Sequence, residues 1–125
     1  MLKDRNSSAI VAVSDLGRAR RFYEQTLGLA VVEDGGEVLV FVTGGTHLVL
    51  YRSDEAGTNR ANAVVWGVGD ELEDIVADLR AKGVNFERYE MDDVDFADGV
   101  HRAGDFRMAW FKDPDGNILH LNSAD

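Results

Sequence analysis

The chain reads as an α+β fold built from two tandem βαβββ modules, a reading that rests on three observations. An apolar run ending in Val13-Ser14-Asp15, a helix-patterned stretch and Gly28 is echoed by Val68-Gly69-Asp70, a second helix-patterned stretch and Gly83. The Asp and the Gly stand 13 residues apart in both copies, and the copies are offset by 55. Such self-similarity decides architecture before any single residue does. Finally, 125 residues make one domain by length, so the duplication must fit inside one compact unit. Two small β-rich modules can face each other across a shared cleft, which makes enclosure of a small molecule the expected business of the protein.

The elements follow in order. Asn6 to Val13 reads as a first strand, stopped by Ser14-Asp15, which suit a helix N-terminus. Leu16, Ala19, Phe22, Tyr23 and Leu27 recur at helical spacing, and Gly28 supplies a left-handed stop. Leu29 to Glu33 is a short strand, Asp34-Gly35-Gly36 a turn, and Glu37 to Thr43 a further strand. Gly44-Gly45 is a two-residue hairpin signal, and Thr46 to Arg52 returns as the partner strand. Module 1 thus covers about residues 6–53.

A linker rich in Ser, Asp, Gly, Thr and Asn runs through 54–60, and module 2 covers 61–124. Asn62 to Val68 is its first strand. Leu72, Ile75, Val76 and Leu79 form the stripe of a second helix closed by Gly83, and Val84 to Tyr89 follows as a strand. Glu90 to Asp105 is an acidic stretch without a counterpart in module 1, the place where a shared scaffold carries specific contacts; Tyr89, His101 and Arg102 are its candidates. Phe106 to Lys112 and Ile118 to Asn122 make a final hairpin across Asp113-Pro114-Asp115-Gly116-Asn117.

Composition narrows the function. The net charge of −10, from 23 acids against 13 bases, argues against nucleic acid, whose binding rests on clustered Lys and Arg. The apolar runs are too short to span a bilayer, and Met1 to Ser8 is polar, unlike a signal peptide. With no cysteine there is no disulfide framework and no thiolate site, so the expected setting is cytoplasmic.

SDLGRARRFYEQTLGL in the first half and AWFKDPDGNILHL at the end resemble the signature stretches of the vicinal oxygen chelate superfamily, the glyoxalase, bleomycin-resistance and extradiol-dioxygenase group. The resemblance spans nearly the whole chain. It implies curved mixed sheets around a cleft and commonly a homodimer, but not one function, since the group includes lyases, isomerases, dioxygenases and non-catalytic binding proteins. In catalytic members, cleft-facing His, Glu or Gln residues hold a divalent ion that polarises substrate oxygens. The ligand positions that the resemblance implies fall here on Ser8, Val49, Val64 and His120, and only His120 is a competent ligand. The expectation is therefore no resident cofactor. A distorted divalent-metal site using His47 and His120, helped by Ser8 or Asn122, is the alternative.

Period-two alternation, with Ser8 and His120 as inward markers, assigns the cleft-lining set: Ser8, Ile10, Ala12, Val38, Val40, Val42, His47, Val49, Tyr51, Val64, Trp66, Phe106, Met108, Trp110, Ile118, His120 and Asn122. Aromatic and apolar walls with a few polar points are the usual makeup of a small-molecule pocket. Trp66 and Trp110 suit stacking and cation–π contact with a planar or cationic ligand, or else fill the core. His120 with Tyr51 or Glu90 would supply acid–base chemistry if a reaction is run. The reading is a dimeric binding protein for a small, partly aromatic molecule of cationic character; the alternative is a metal-dependent lyase, isomerase or dioxygenase built on His120 and non-standard ligands.

Overall fold

The computed structural model describes residues 1–125, which divide into two compact units: residues 1–60 with 114–117, and residues 61–113 with 118–125. The fold is α+β, with one mixed sheet in each unit. No helix is long and apolar enough to cross a membrane.

In the first unit, β1 (Ala9–Val13), β2 (Ala30–Asp34), β3 (Val38–Thr43) and β4 (Thr46–Arg52) form a sheet in the order β1-β4-β3-β2. β1 runs parallel to β4 and the remaining neighbours are antiparallel. Alternation sorts the side chains: Val11, Val13, Leu39, Phe41, Leu48 and Leu50 are buried, while Ile10, Val38, Val42 and Tyr51 on the other face are exposed. α1 (Leu16–Arg20) starts at Asp15, whose carboxylate accepts from the Arg18 N–H and is held below its ordinary pKa by that bond. The helix does not run on uniformly to Leu27 as the spacing predicts. From Arg21 to Thr26 it widens into a π-helix, with the Leu27 N–H reaching the Phe22 carbonyl at 3.0 Å. Tyr23 is fully buried there, 6.0 Å from the Phe41 ring between centroids.

The 114–117 turn also belongs to this unit. Asp115 accepts hydrogen bonds from the Ser14 backbone N–H and hydroxyl and from Arg18, and Asn117 donates its amide N–H to the Ala12 carbonyl at 2.8 Å. Asp115 and Asn117 of the turn are thus structural, satisfying the strand-to-helix junction of β1 and α1.

In the second unit, β5 (Asn62–Gly67), β6 (Asp95–Ala97), β7 (Val100–Ala103), β8 (Phe106–Lys112) and β9 (Ile118–Asn122) form a sheet in the order β5-β9-β8-β7-β6. α2 (Leu72–Ala81) covers one face, burying Leu72, Val76 and Leu79 on the side of Ala109, Phe111, Leu119 and Leu121. Glu73 of α2 receives Arg107 at 2.6 Å and Arg102 at 3.3 Å, so both arginines stand on the helix side of the sheet.

One expectation for this unit fails. Val84 to Tyr89 forms no strand; it contributes a single bridge, Phe86 to Phe111, and a hydrogen bond from the Glu87 N–H to the Trp110 carbonyl at 2.8 Å. The place beside β8 that a strand after the helix would occupy is taken by β7. Its hairpin with β6 closes through Asp98 and Gly99, both at positive φ, the conformation of a tight primed turn. The 90–105 stretch therefore holds two strands. Its lack of a counterpart hid them.

Gly28 and Gly57 share a positive φ, but only Gly57 is crowded: a Cβ there would stand 2.0 Å from the Asp115 carbonyl oxygen, whereas at Gly28 nothing lies within 4 Å. Both alanine substitutions incur backbone strain of about 1 kcal/mol, and Gly57→Ala costs roughly 1–3 kcal/mol more for displacing the turn. Urea unfolding of the two variants checks this; equal losses would show that the turn yields freely.

Candidate functional site

The face of the second sheet opposite α2 carries the chemistry. Cross-strand partners share a face, so Val65, His120 and Trp110 form one row and Asn122, Met108, His101 and Phe96 the next. Trp110 is the centre. His120 stacks on it at 4.6 Å and 23°, and Tyr89 and His101 meet it edge-to-face at 5.2 and 5.0 Å. Phe96 closes on His101 at 4.6 Å. The Trp110 indole N–H donates to Asn62 Oδ1 at 3.2 Å, which gives its one polar atom a partner.

His120 is 8% exposed and its tautomer is fixed by its neighbours. Nδ1–H donates to the Ala109 carbonyl at 3.1 Å. Nε2 accepts from the Asn122 side-chain amide at 3.3 Å, and the Asn122 oxygen is oriented by the Ala124 N–H at 3.1 Å. Burial pulls its pKa down, against the Ala109 hydrogen bond. At neutral pH it is an uncharged imidazole whose lone pair points at a displaceable amide. His101, fully buried, accepts from the Tyr89 backbone N–H at Nε2, 3.0 Å away; its Nδ1 has no hydrogen-bond partner. Burial is the main cause that lowers its pKa. The Tyr89 phenol is shifted the other way by burial and the nearby Glu87, so it stays protonated.

The structure brings together Met108, Trp110, His120 and Asn122 of the predicted set, with Phe106 exposed on the same face by alternation. It does not bring Val64 and Trp66 there. A bulge between Asn62 and Val64 shifts β5, pairing Val64 with Leu119 and Trp66 with Leu121 on the helix side. The exposed apolar side chain of that strand is Val65, which the 55-residue offset equates with Ile10; they are 57% and 66% exposed. The two tryptophans therefore form no pair of walls. Val49, Tyr51 and His47 share a face of β4 as expected, in register with Ile10, Ala12 and Val42. Ser8 lies one residue before β1 rather than within it. Arg102 is committed to Glu73 on the helix side, and Glu90 pairs with Arg88 on the exposed surface.

Sequence reasoning missed Phe96 and Asn62. Phe96 sits in a stretch dominated by acids, and Asn62 reads simply as the polar start of a strand.

The donor set does not fit a divalent ion at the positions that the resemblance implies. Val49 and Val64 offer no ligating atom, Val64 faces the helix, and both nitrogens of His120 are engaged within the unit. No three His, Cys, Asp or Glu side chains converge anywhere in the chain.

Comparison with known proteins gives one family, described as the Glyoxalase/Bleomycin resistance protein/Dioxygenase superfamily, matching residues 7–121. The virulence protein STM3117 of Salmonella typhimurium is 21% identical over 129 residues, covering 98% of this chain and 85% of that protein. Among solved structures, the glyoxalase family protein from Enterococcus faecalis has a TM-score of 0.72 at 21% identity, covering 98% of this chain and 99% of the other. The fosfomycin resistance protein FosX from Listeria monocytogenes, complexed with Mn(II) and sulfate ion, has a TM-score of 0.71 at 16% identity, covering 97% and 90%. At these identities the structural likeness is one of fold.

Both histidines titrate with the same sign. A depressed folded-state pKa means that the unfolded chain takes up protons first, as pH falls below the ordinary imidazole value of about 6.5. Their contribution to stability is complete above that value and is lost as pH falls from there through the folded-state pKa. Urea unfolding at pH 7.5 and 5.5 should show lower stability at 5.5, with a smaller drop in His120→Gln. An unchanged midpoint would show that neither ring is held neutral.

Proposed function

Since the chain belongs to the glyoxalase/bleomycin resistance protein/dioxygenase superfamily, we propose that it binds a small, partly aromatic molecule on the Trp110–His120 face of its second sheet, without a resident divalent metal. The observation that carries this reading is the state of His120: neutral, stacked on Trp110, and with both nitrogens satisfied by protein groups. Such an imidazole is a hydrogen-bonding point in an aromatic surface, poised to trade the Asn122 amide for a ligand donor. The Tyr89 hydroxyl and the exposed Phe106 add a polar tip and an apolar edge. The net charge of −10 favours a cationic ligand through the long-range field. A cytoplasmic setting suits the cysteine-free chain.

The proposed assembly is a homodimer. Ile10, Val38, Val42 and Tyr51 leave the open face of the first sheet apolar and exposed, a surface that a second copy would cover. Sedimentation should give a dimer, and Ile10→Asp or Val38→Asp should shift it toward monomer. A monomeric wild-type chain at micromolar concentration overturns this part of the proposal.

Binding is tested by titrating a panel of small aromatic cations against tryptophan fluorescence. Trp110→Ala should weaken binding more than tenfold, and Trp66→Ala, on the helix side, should lower stability while leaving affinity near wild type. Equal affinity in wild type and Trp110→Ala would remove the face from consideration.

A second reading, a metal-dependent lyase, isomerase or dioxygenase, draws support from the fold likeness to the Mn(II)-complexed FosX. Elemental mass spectrometry after incubation with manganese, iron, nickel and zinc, followed by desalting, separates the two. The proposal expects no retained ion. One ion per chain, lost in His120→Ala, would replace it with the enzyme reading.

A further inference from the structure

The second sheet contains a device that the binding reading does not use. β8 has two successive partners along one edge: β7 pairs with it from Phe106 to Met108, and residues 86–87 lie beside Trp110 and Phe111. Tyr89 comes directly after that short pairing, and its backbone N–H points at Nε2 of His101 on β7, 3.0 Å away. That hydrogen bond joins the two segments sharing the edge, and it sets the Tyr89 ring 5.2 Å from Trp110.

We infer that His101 is a positioning residue that clasps Tyr89 against Trp110 while its ring is neutral and releases it when the ring gains a second proton. The argument is stereochemical. Because Nε2 accepts from Tyr89, the single proton of the neutral ring resides on Nδ1. A proton from solvent can add only at Nε2, and there it places N–H against N–H across 3.0 Å, with both groups donors and no acceptor between them. The ring is fully buried, so a charge on it has no water. The Met108 and Tyr89 backbones favour the charged ring but offset that burial only in part. Tyr89, Phe96 and Trp110 pack on it as uncharged rings, and Met108 faces it across the ladder through its backbone. The charge that bears on it is the Arg88 cation, lodged over Phe96 at 5.4 Å and paired with Glu90 at 3.5 Å, which repels a second positive charge. The other nearby titratable ring, His120 beyond Trp110, is neutral and committed to Ala109 and Asn122. Protonated His101 is therefore stable only after the Tyr89 segment has moved away and admitted water.

Linkage makes the coupling reciprocal: a ligand held on the surface that Tyr89 and Trp110 form together binds more weakly as His101 protonates, and its binding opposes that protonation. This consequence rests on the reading of the Trp110–His120 face as the binding site. The clasp itself is observable without a ligand.

The experiment is amide exchange and imidazole titration by NMR on the whole chain between pH 8 and 5, with exchange expressed as protection factors so that the intrinsic pH dependence cancels. The Tyr89 amide should lose at least tenfold of its protection with the midpoint at which His101 titrates, while amides of β9 keep theirs. His101→Gln, whose side-chain oxygen can still accept from Tyr89, should retain protection and lose its pH dependence. His101→Phe should leave Tyr89 unprotected throughout. Tyr89 protection unchanged while His101 titrates in wild type, or pH dependence surviving in His101→Gln, overturns the inference; the wild-type titration decides the matter even where a variant fails to fold. If Trp110→Ala leaves ligand affinity intact while the Tyr89 amide titrates as expected, the binding face is wrong and the clasp stands.

Discussion

Each sheet has two faces and one helix. That imbalance is the constraint on which the rest of the structure depends. Packing α2 over Ala109, Phe111, Leu119 and Leu121 secures one side of the second sheet, and strand alternation then forces Met108, Trp110, His120 and Asn122 onto the side with no helix. The two sheets meet this differently. The first leaves aliphatic and tyrosyl side chains exposed, whereas the second builds its own aromatic layer around Trp110 from a segment without secondary structure and from the β6–β7 hairpin.

Much of this was legible in the residues because repetition and alternation are periodic signals. The 55-residue offset located both helices and the first strand of each unit, and alternation sorted every residue named on β3, β4, β8 and β9 onto its observed face. The failures have local causes. On β5 a bulge inserts one residue, and because the side-chain period is two, a slip of one exchanges faces: Trp66 and Val64 moved to the helix side and Val65 to the open side. In the segment 84–89 the apolar and polar residues alternate only as far as Glu87, and β7 takes the Phe106–Met108 part of the β8 edge, so Phe86 alone forms a bridge, to Phe111. Competition for an edge is a tertiary fact that no local window contains.

The histidines show how much of the site's character lies in neighbours that are distant in sequence. His120 was marked by its place after the 113–117 turn, but its neutrality and tautomer depend on Ala109 and Asn122, and its apolar wall on Trp110. His101 was only one polar residue in an acidic stretch. Its burial follows from Tyr89, Phe96 and Trp110 closing around it, three residues drawn from three separate segments. Residue type was readable in both cases, whereas protonation state required the partners.

The divided edge of β8 also bears on how this fold can change. Residues 86–87 are held by Phe111 and Trp110, and Asp95 to Ala97 by β7, so both ends of the intervening stretch are anchored in the same sheet. The residues between, Glu90 to Val94, contribute nothing to the ladder and sit at its rim. Their number is set by no strand register, which makes this the point where the chain can gain or lose length while every rung stays in place. A descendant of this protein could therefore acquire a new loop over the Trp110 layer by insertion alone, with the sheet beneath it unaltered.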